Sequence, residues 1–184
     1  MTAGQTFLTI LQFVIRSIHL LTRCCGVVAG LLLVLACLVV CQMVLIRYVF
    51  DASTIWQTEF VTFCIVGATL IGSPYVLLHK GHVNVDLLPS YLPAGGRLWL
   101  NLFTSIAACM VCITLAGSGG YYFYEAWDAG WTTESVWGPP LWIPLLSLPL
   151  GLGFLSLQYL AEILGIISEI LYGETVPGSE GHAE

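Results

Sequence analysis

A chain of 184 residues with 58% hydrophobic and only 9% charged residues, at a mean hydropathy of +0.90, lies far outside the composition of soluble domains. One membrane-embedded domain with no nucleic-acid partner is expected, and the net charge of −6 says little about partners, because the acids cluster in the third loop and the C-terminal tail. The apolar stretches contain no Asp, Glu, Lys, Arg or His in their cores, which argues against independent transport of a charged solute, because such a pathway leaves polar groups at membrane depth.

At the N-terminus, Gln5, Thr9, Gln12, Arg16, His19 and Arg23 recur at alternating spacings of four and three among Phe, Leu, Ile and Val. This pattern predicts an amphipathic helix, which either lies in the membrane interface or extends the first span. The first span is expected from Cys24 to Ile46, with room for about 20 apolar residues. A cleaved signal peptide is the rival reading of this segment, but the apolar run is longer than a signal core and ends at Arg47 as an anchor would. Within it, Gly26 and Gly30 form a GxxxG that lets two helix backbones approach closely.

The second span is expected from Phe60 to Leu78, with Trp56 before it, Tyr75 near its end and Pro74 set to kink it. The third runs from Leu98 to Tyr124, with Trp99 at one end and Tyr121, Tyr122 and Tyr124 at the other. Its Asn101, Thr104, Thr114 and Ser118 are the candidates for a weak polar lining. The fourth runs from about Leu141 to Ala161. Pro139 and Pro140 suit its start, and Pro144 and Pro149 argue against a straight helix in its outer half. Residues 1–172 therefore read as a single four-helix membrane domain, all-α, followed by a disordered tail over 173–184 rich in Gly, Ser and Glu.

Arg16 and Arg23 precede the first span, and Lys80 and Arg97 lie between the second and third. The loop from Glu125 to Glu134 holds acids and no bases. The positive-inside rule puts both termini and the 79–97 loop in the cytoplasm, with only Arg47 opposing the bias. The seven Cys lie within or at the edges of apolar spans and read as packing residues, because a disulfide scaffold would want pairs in the outer loops.

Three constellations stand at the boundaries. Arg47-Tyr48-Val49-Phe50 closes the first span and Trp56-Gln57-Thr58-Glu59 opens the second, so Arg47 and Glu59 can pair and pin the two helices, or simply mark the boundary. His79, His82 and Asp86 have conceivable metal-ligand spacing, but Lys80 stands among them and no fourth ligand is near, so fixed polar contacts or helix caps are the preferred reading. Haem would want histidines facing one another at membrane depth. No cofactor and no enzymatic chemistry are expected.

These residues resemble a family: the small, DctQ-like membrane subunit of tripartite ATP-independent periplasmic (TRAP) transporters. The resemblance is carried by Arg-Tyr-Val-Phe at 47–50, Trp-x-x-Glu at 56–59, Gly-His-Val-x-Val-Asp-Leu-Leu at 81–88 with Leu92-Pro93, and the proline-marked fourth span. One departure is Gln57, where the family often has an acidic or small residue. The resemblance implies a bacterial inner-membrane protein without chemistry of its own, a scaffold for a large subunit that uses a sodium gradient. A periplasmic binding protein would deliver an organic acid, commonly a carboxylate, to that subunit. It also implies subunit-contact or structural roles for Arg47, Trp56 and Glu59 at the outer surface, for His82 and Asp86 on the cytoplasmic side, and for Pro93. The alternative is an autonomous four-helix channel or carrier.

Overall fold

A computed structural model describes residues 3–79 and 94–172. Among the described residues four helices follow in chain order: α1 (Ala3–Val49), α2 (Gln57–Leu78), α3 (Ala94–Asp128) and α4 (Trp142–Tyr172). Each holds a stretch able to cross a bilayer, namely Gln12–Val49, Gln57–Leu78, Leu98–Asp128 and Trp142–Ser168. The all-α membrane fold follows from the solvent, since hydrocarbon offers backbone groups no partner and a helix satisfies them within itself.

The N-terminal amphipathic segment and the first span form one continuous helix, so the segment extends the span. With 47 residues, α1 is about 70 Å long, more than twice the hydrocarbon thickness of roughly 30 Å. Its less exposed side runs through Ile15, Ile18, Thr22, Cys25, Ala29, Leu32, Ala36, Val39, Met43 and Ile46. Steps alternating between three and four make this a heptad seam, the pattern that keeps one stripe facing its neighbours. On α3 the same rule places Leu102, Ser105, Cys109, Cys112, Ala116, Gly119, Phe123 and Ala126 inward.

Small residues set how closely these seams meet. A methyl group on Gly26 would run into the Tyr75 ring, and one on Gly72 would come within 3.0 Å of the Ala29 Cβ. Gly30, the other half of the GxxxG, has nothing within 4 Å, so only Gly26 serves the contact with α2. The closest approach of backbone to backbone lies between α2 and α4, where Gly151 rests on the carbonyl of Leu70. That carbonyl is one turn before Pro74, which has no N–H to close the helical bond onto it. The group freed by the proline is thus covered by a backbone that only glycine can bring so near.

Helix α4 packs on all three others, whereas α3 packs on α4 alone and α1 on α2 and α4. Near one end, Ile15 and Ile18 of α1 meet Ala161 of α4, and the buried Thr22 hydroxyl donates to Gln158 Oε1 at 2.9 Å. The fourth segment is helical from Trp142 through Pro149. Pro144 costs little because it stands in the first turn, where N–H groups lack intrahelical partners anyway.

Candidate functional site

The candidate site is the end of the bundle where α1 stops, α2 and α4 begin, and α3 stops. Asp51, at φ +48°, takes the left-handed conformation that a short polar side chain tolerates. The chain turns back there, and the Ala52 N–H reaches the Ile46 carbonyl at 3.3 Å. Gly130, at φ +62°, ends α3 in the same way, and the Trp131 N–H donates to the Ala126 carbonyl at 3.1 Å.

Residues 131–141 then form a short hairpin. Thr133 N–H donates to the Pro139 carbonyl at 3.1 Å and Leu141 N–H to the Trp131 carbonyl at 2.9 Å. Gly138, at φ +58°, turns its N–H onto Ser135 Oγ at 3.2 Å. Pro139 and Pro140, expected at the helix start, instead occupy the returning arm, and α4 begins two residues later. Val136 at the tip is 91% exposed.

Tryptophans lock this cap to the helices. Trp137 of the hairpin lies 6.2 Å from Trp56, which meets Phe60 edge-on at 5.9 Å. Trp127 at the end of α3 meets Trp142 at the start of α4 at 4.8 Å. Such pairs contribute about 1 kcal/mol each beyond area burial, and amphipathic indoles suit the membrane boundary. Trp56 therefore joins a built aromatic cluster rather than standing alone.

Arg47 and Glu59 are brought to the same end but form no ion pair among the described residues. Arg47 follows the seam residue Ile46, and a step of about 100° turns it to the exposed side of α1. Glu59 turns inward, with its Oε2 buried and unpartnered. Its place in the first turn of α2 supplies a favourable field in lieu of a cation, because the free N–H groups of a helix start carry partial positive charge. Beside it Gln57 is only 4% exposed, and its Oε1 also lacks a partner. Gln57 departs from the pattern of the family it resembles, yet it is among the most enclosed polar groups. A polar side chain directly after a boundary Trp is the signal that could have marked it.

His82, Asp86 and Pro93 lie outside the described residues, as does the 173–184 tail. His79 caps α2, with its backbone N–H 3.2 Å and its Nδ1 3.1 Å from the Tyr75 carbonyl oxygen. Among the described residues no cluster of three metal-ligating side chains occurs.

Of the candidate polar lining of the third span, Asn101 is half-buried and the three hydroxyl residues face outward. Thr104, Thr114 and Ser118 are exposed on α3, and their hydroxyls donate to carbonyls of the preceding turn at 2.8–3.1 Å. The buried polar side chains among the described residues are Thr22, Gln57, Ser105, Ser147, Gln158 and Ser168, none of them charged.

The family model for the DctQ component of tripartite ATP-independent periplasmic transporters matches residues 36–169. The chain is similar to the C4-dicarboxylate TRAP transporter small permease protein DctQ of Vibrio cholerae, with 27% identity over 147 residues, covering 68% of this chain and 63% of that protein. It is also similar to the ectoine TRAP transporter small permease protein TeaB of Halomonas elongata, with 26% identity over 130 residues, covering 70% and 67%. The chain thus spans a little under two-thirds of the Vibrio relative.

Proposed function

Because this chain belongs to the DctQ component of the tripartite ATP-independent periplasmic transporters, we propose that it is a fixed scaffold for a large membrane subunit that moves the solute. The single observation that carries this reading is that, among the described residues, no charged side chain is buried in the middle of the four spans, the buried Oε2 of Glu59 standing in the first turn of α2 at the span's end. A bundle that translocates a charged solute by itself needs such groups or a continuous polar track. Here the hydroxyls of Thr104, Thr114 and Ser118 are closed on their own backbone and face outward.

In this reading the large subunit couples uptake to sodium, and a periplasmic binding protein delivers an organic acid with a carboxylate. The two relatives, named for a C4-dicarboxylate and for ectoine, support that class. The termini face the cytoplasm, as Arg16 and Arg23 favour. The tryptophan-locked hairpin then faces the periplasm, where Arg47 stands exposed for a partner. His82, Asp86 and Pro93 are assigned subunit contact on the cytoplasmic side.

Co-purification tests the proposal. The tagged chain should bring down a large multi-span protein from detergent extracts, and its deletion should abolish uptake of the organic acid. Failure of both would overturn the reading. Solute flux through liposomes holding this chain alone would establish the autonomous channel instead.

A further inference from the structure

Helix α1 has a second face that its neighbours leave open. At about 100° per residue, Arg16 and Arg23 share one side of the helix with Gly30, Val34, Cys37 and Cys41. All six are exposed. The two arginines stand two turns apart and make no ion pair among the described residues. Gly30 leaves open space where a side chain would project, so the apolar part of the face begins as a shallow notch. From Gly30 to Cys41 it extends about 16 Å along the axis, close to the roughly 15 Å depth of one leaflet.

Two unpaired guanidinium groups followed by a narrow apolar track of leaflet length match the order of groups in a phospholipid. We propose that this face holds one anionic phospholipid, with its phosphate between Arg16 and Arg23 and an acyl chain along Gly30, Val34, Cys37 and Cys41. A headgroup of net negative charge is specified because guanidinium forks bind phosphate oxygens in pairs and a zwitterionic headgroup offsets part of the attraction. The continuity of α1 holds the charged head and the track in fixed register. The proposal rests on membrane residence and not on the scaffold role, so either can fail alone.

The test is native mass spectrometry of the full chain in detergent, offered phosphatidylglycerol, phosphatidylcholine with the same acyl chains, or glycerol phosphate. One phosphatidylglycerol should be retained, phosphatidylcholine on the order of tenfold less, and glycerol phosphate not at all. The R16Q/R23Q variant should lose about tenfold in phosphatidylglycerol retention, whereas R16K/R23K should lose less, since lysine keeps the charge but not the paired hydrogen bonds. Gly30→Leu should weaken retention with both charges intact. Equal retention of the two lipids, unchanged retention in R16Q/R23Q, or glycerol phosphate binding as well as the lipid would overturn the proposal. In the co-purified complex, Cys37 and Cys41 should still react with a membrane-soluble maleimide after delipidation. Their protection there, with no phosphatidylglycerol bound, would assign the face to a helix of the large subunit and overturn the lipid.

Discussion

The two outer helices, α1 and α3, follow the same heptad rule but are held in different ways. Helix α1 meets two neighbours, with Gly26 under the Tyr75 ring, Ala29 against Gly72, and Thr22 hydrogen-bonded to Gln158. Helix α3 meets α4 alone, through Gly119 against Leu148 and Pro149, the fully buried Ala126, and a long Cys109 Sγ contact of 3.8 Å to the Ser156 carbonyl. Lipid tails are as apolar as the side chains, so association between spans depends on close packing and on polar bonds that hydrocarbon cannot replace. By that measure α1 is tied twice and α3 once. What both rest on is α4.

The largest effect should come from damage to that shared support. Gly151→Leu places a side chain where the Leu70 carbonyl already lies, and backbone cannot yield as a flexible side-chain tip can. We expect a loss of about 3 kcal/mol or more in detergent unfolding, with α2 and α4 forced apart. Gly30 is the control, because open space surrounds it, and Gly30→Leu should leave stability within about 0.5 kcal/mol. Equal losses at both positions would break the comparison, since contact geometry would then not govern stability.

The number and order of the spanning helices were legible because they depend on composition, with charge-free runs bounded by Arg47, Trp56 and Trp99 in any arrangement of neighbours, whereas the helix ends were not, since α4 continues past Ala161 to Tyr172. The bundle's contacts were legible only in part. Gly26 and Gly30 look alike in sequence, and which one meets α2 depends on the phase of the heptad seam set by Ile15, Thr22 and Ala29 along the whole of α1. Arg47 and Glu59 were brought to one end by topology, as expected, but a pair also needs facing side chains. The single step past Ile46 turned Arg47 away. The hairpin was hidden for another reason: Pro139 and Pro140 suit a helix start as well as a hairpin arm. The choice was made by Gly130 and Gly138 in left-handed turns and by Trp137 reaching Trp56.

A smaller effect separates the two outer helices directly. Thr22→Val removes the hydroxyl that donates to Gln158 Oε1 while keeping nearly the same volume. The cost should be about 1 kcal/mol, since hydrogen bonds between membrane helices are worth roughly that much. Pairing it with Gln158→Leu gives a cycle, and the double variant should lose less than the sum of the single losses, because no orphaned polar group remains. Strict additivity would mean that the second tie on α1 is packing alone.

The smallest expected effect on stability is at Arg47, and it bears on what the cap is for. The guanidinium lies on the exposed side of α1 with no ion pair among the described residues, so Arg47→Ala should change the unfolding free energy of the isolated chain by less than about 0.5 kcal/mol. Were Arg47 pinning α1 to α2 through Glu59, removing it would leave a buried carboxylate unmatched and cost several times more. Unfolding titrations of Arg47→Ala and Glu59→Gln measure the difference. If Arg47→Ala leaves the chain intact but lowers recovery of the large subunit in pull-downs, the charge acts between proteins and not within this one. That outcome would extend the contrast from helices to charges: Glu59 is held by the dipole of its own helix, and Arg47 is left for a partner.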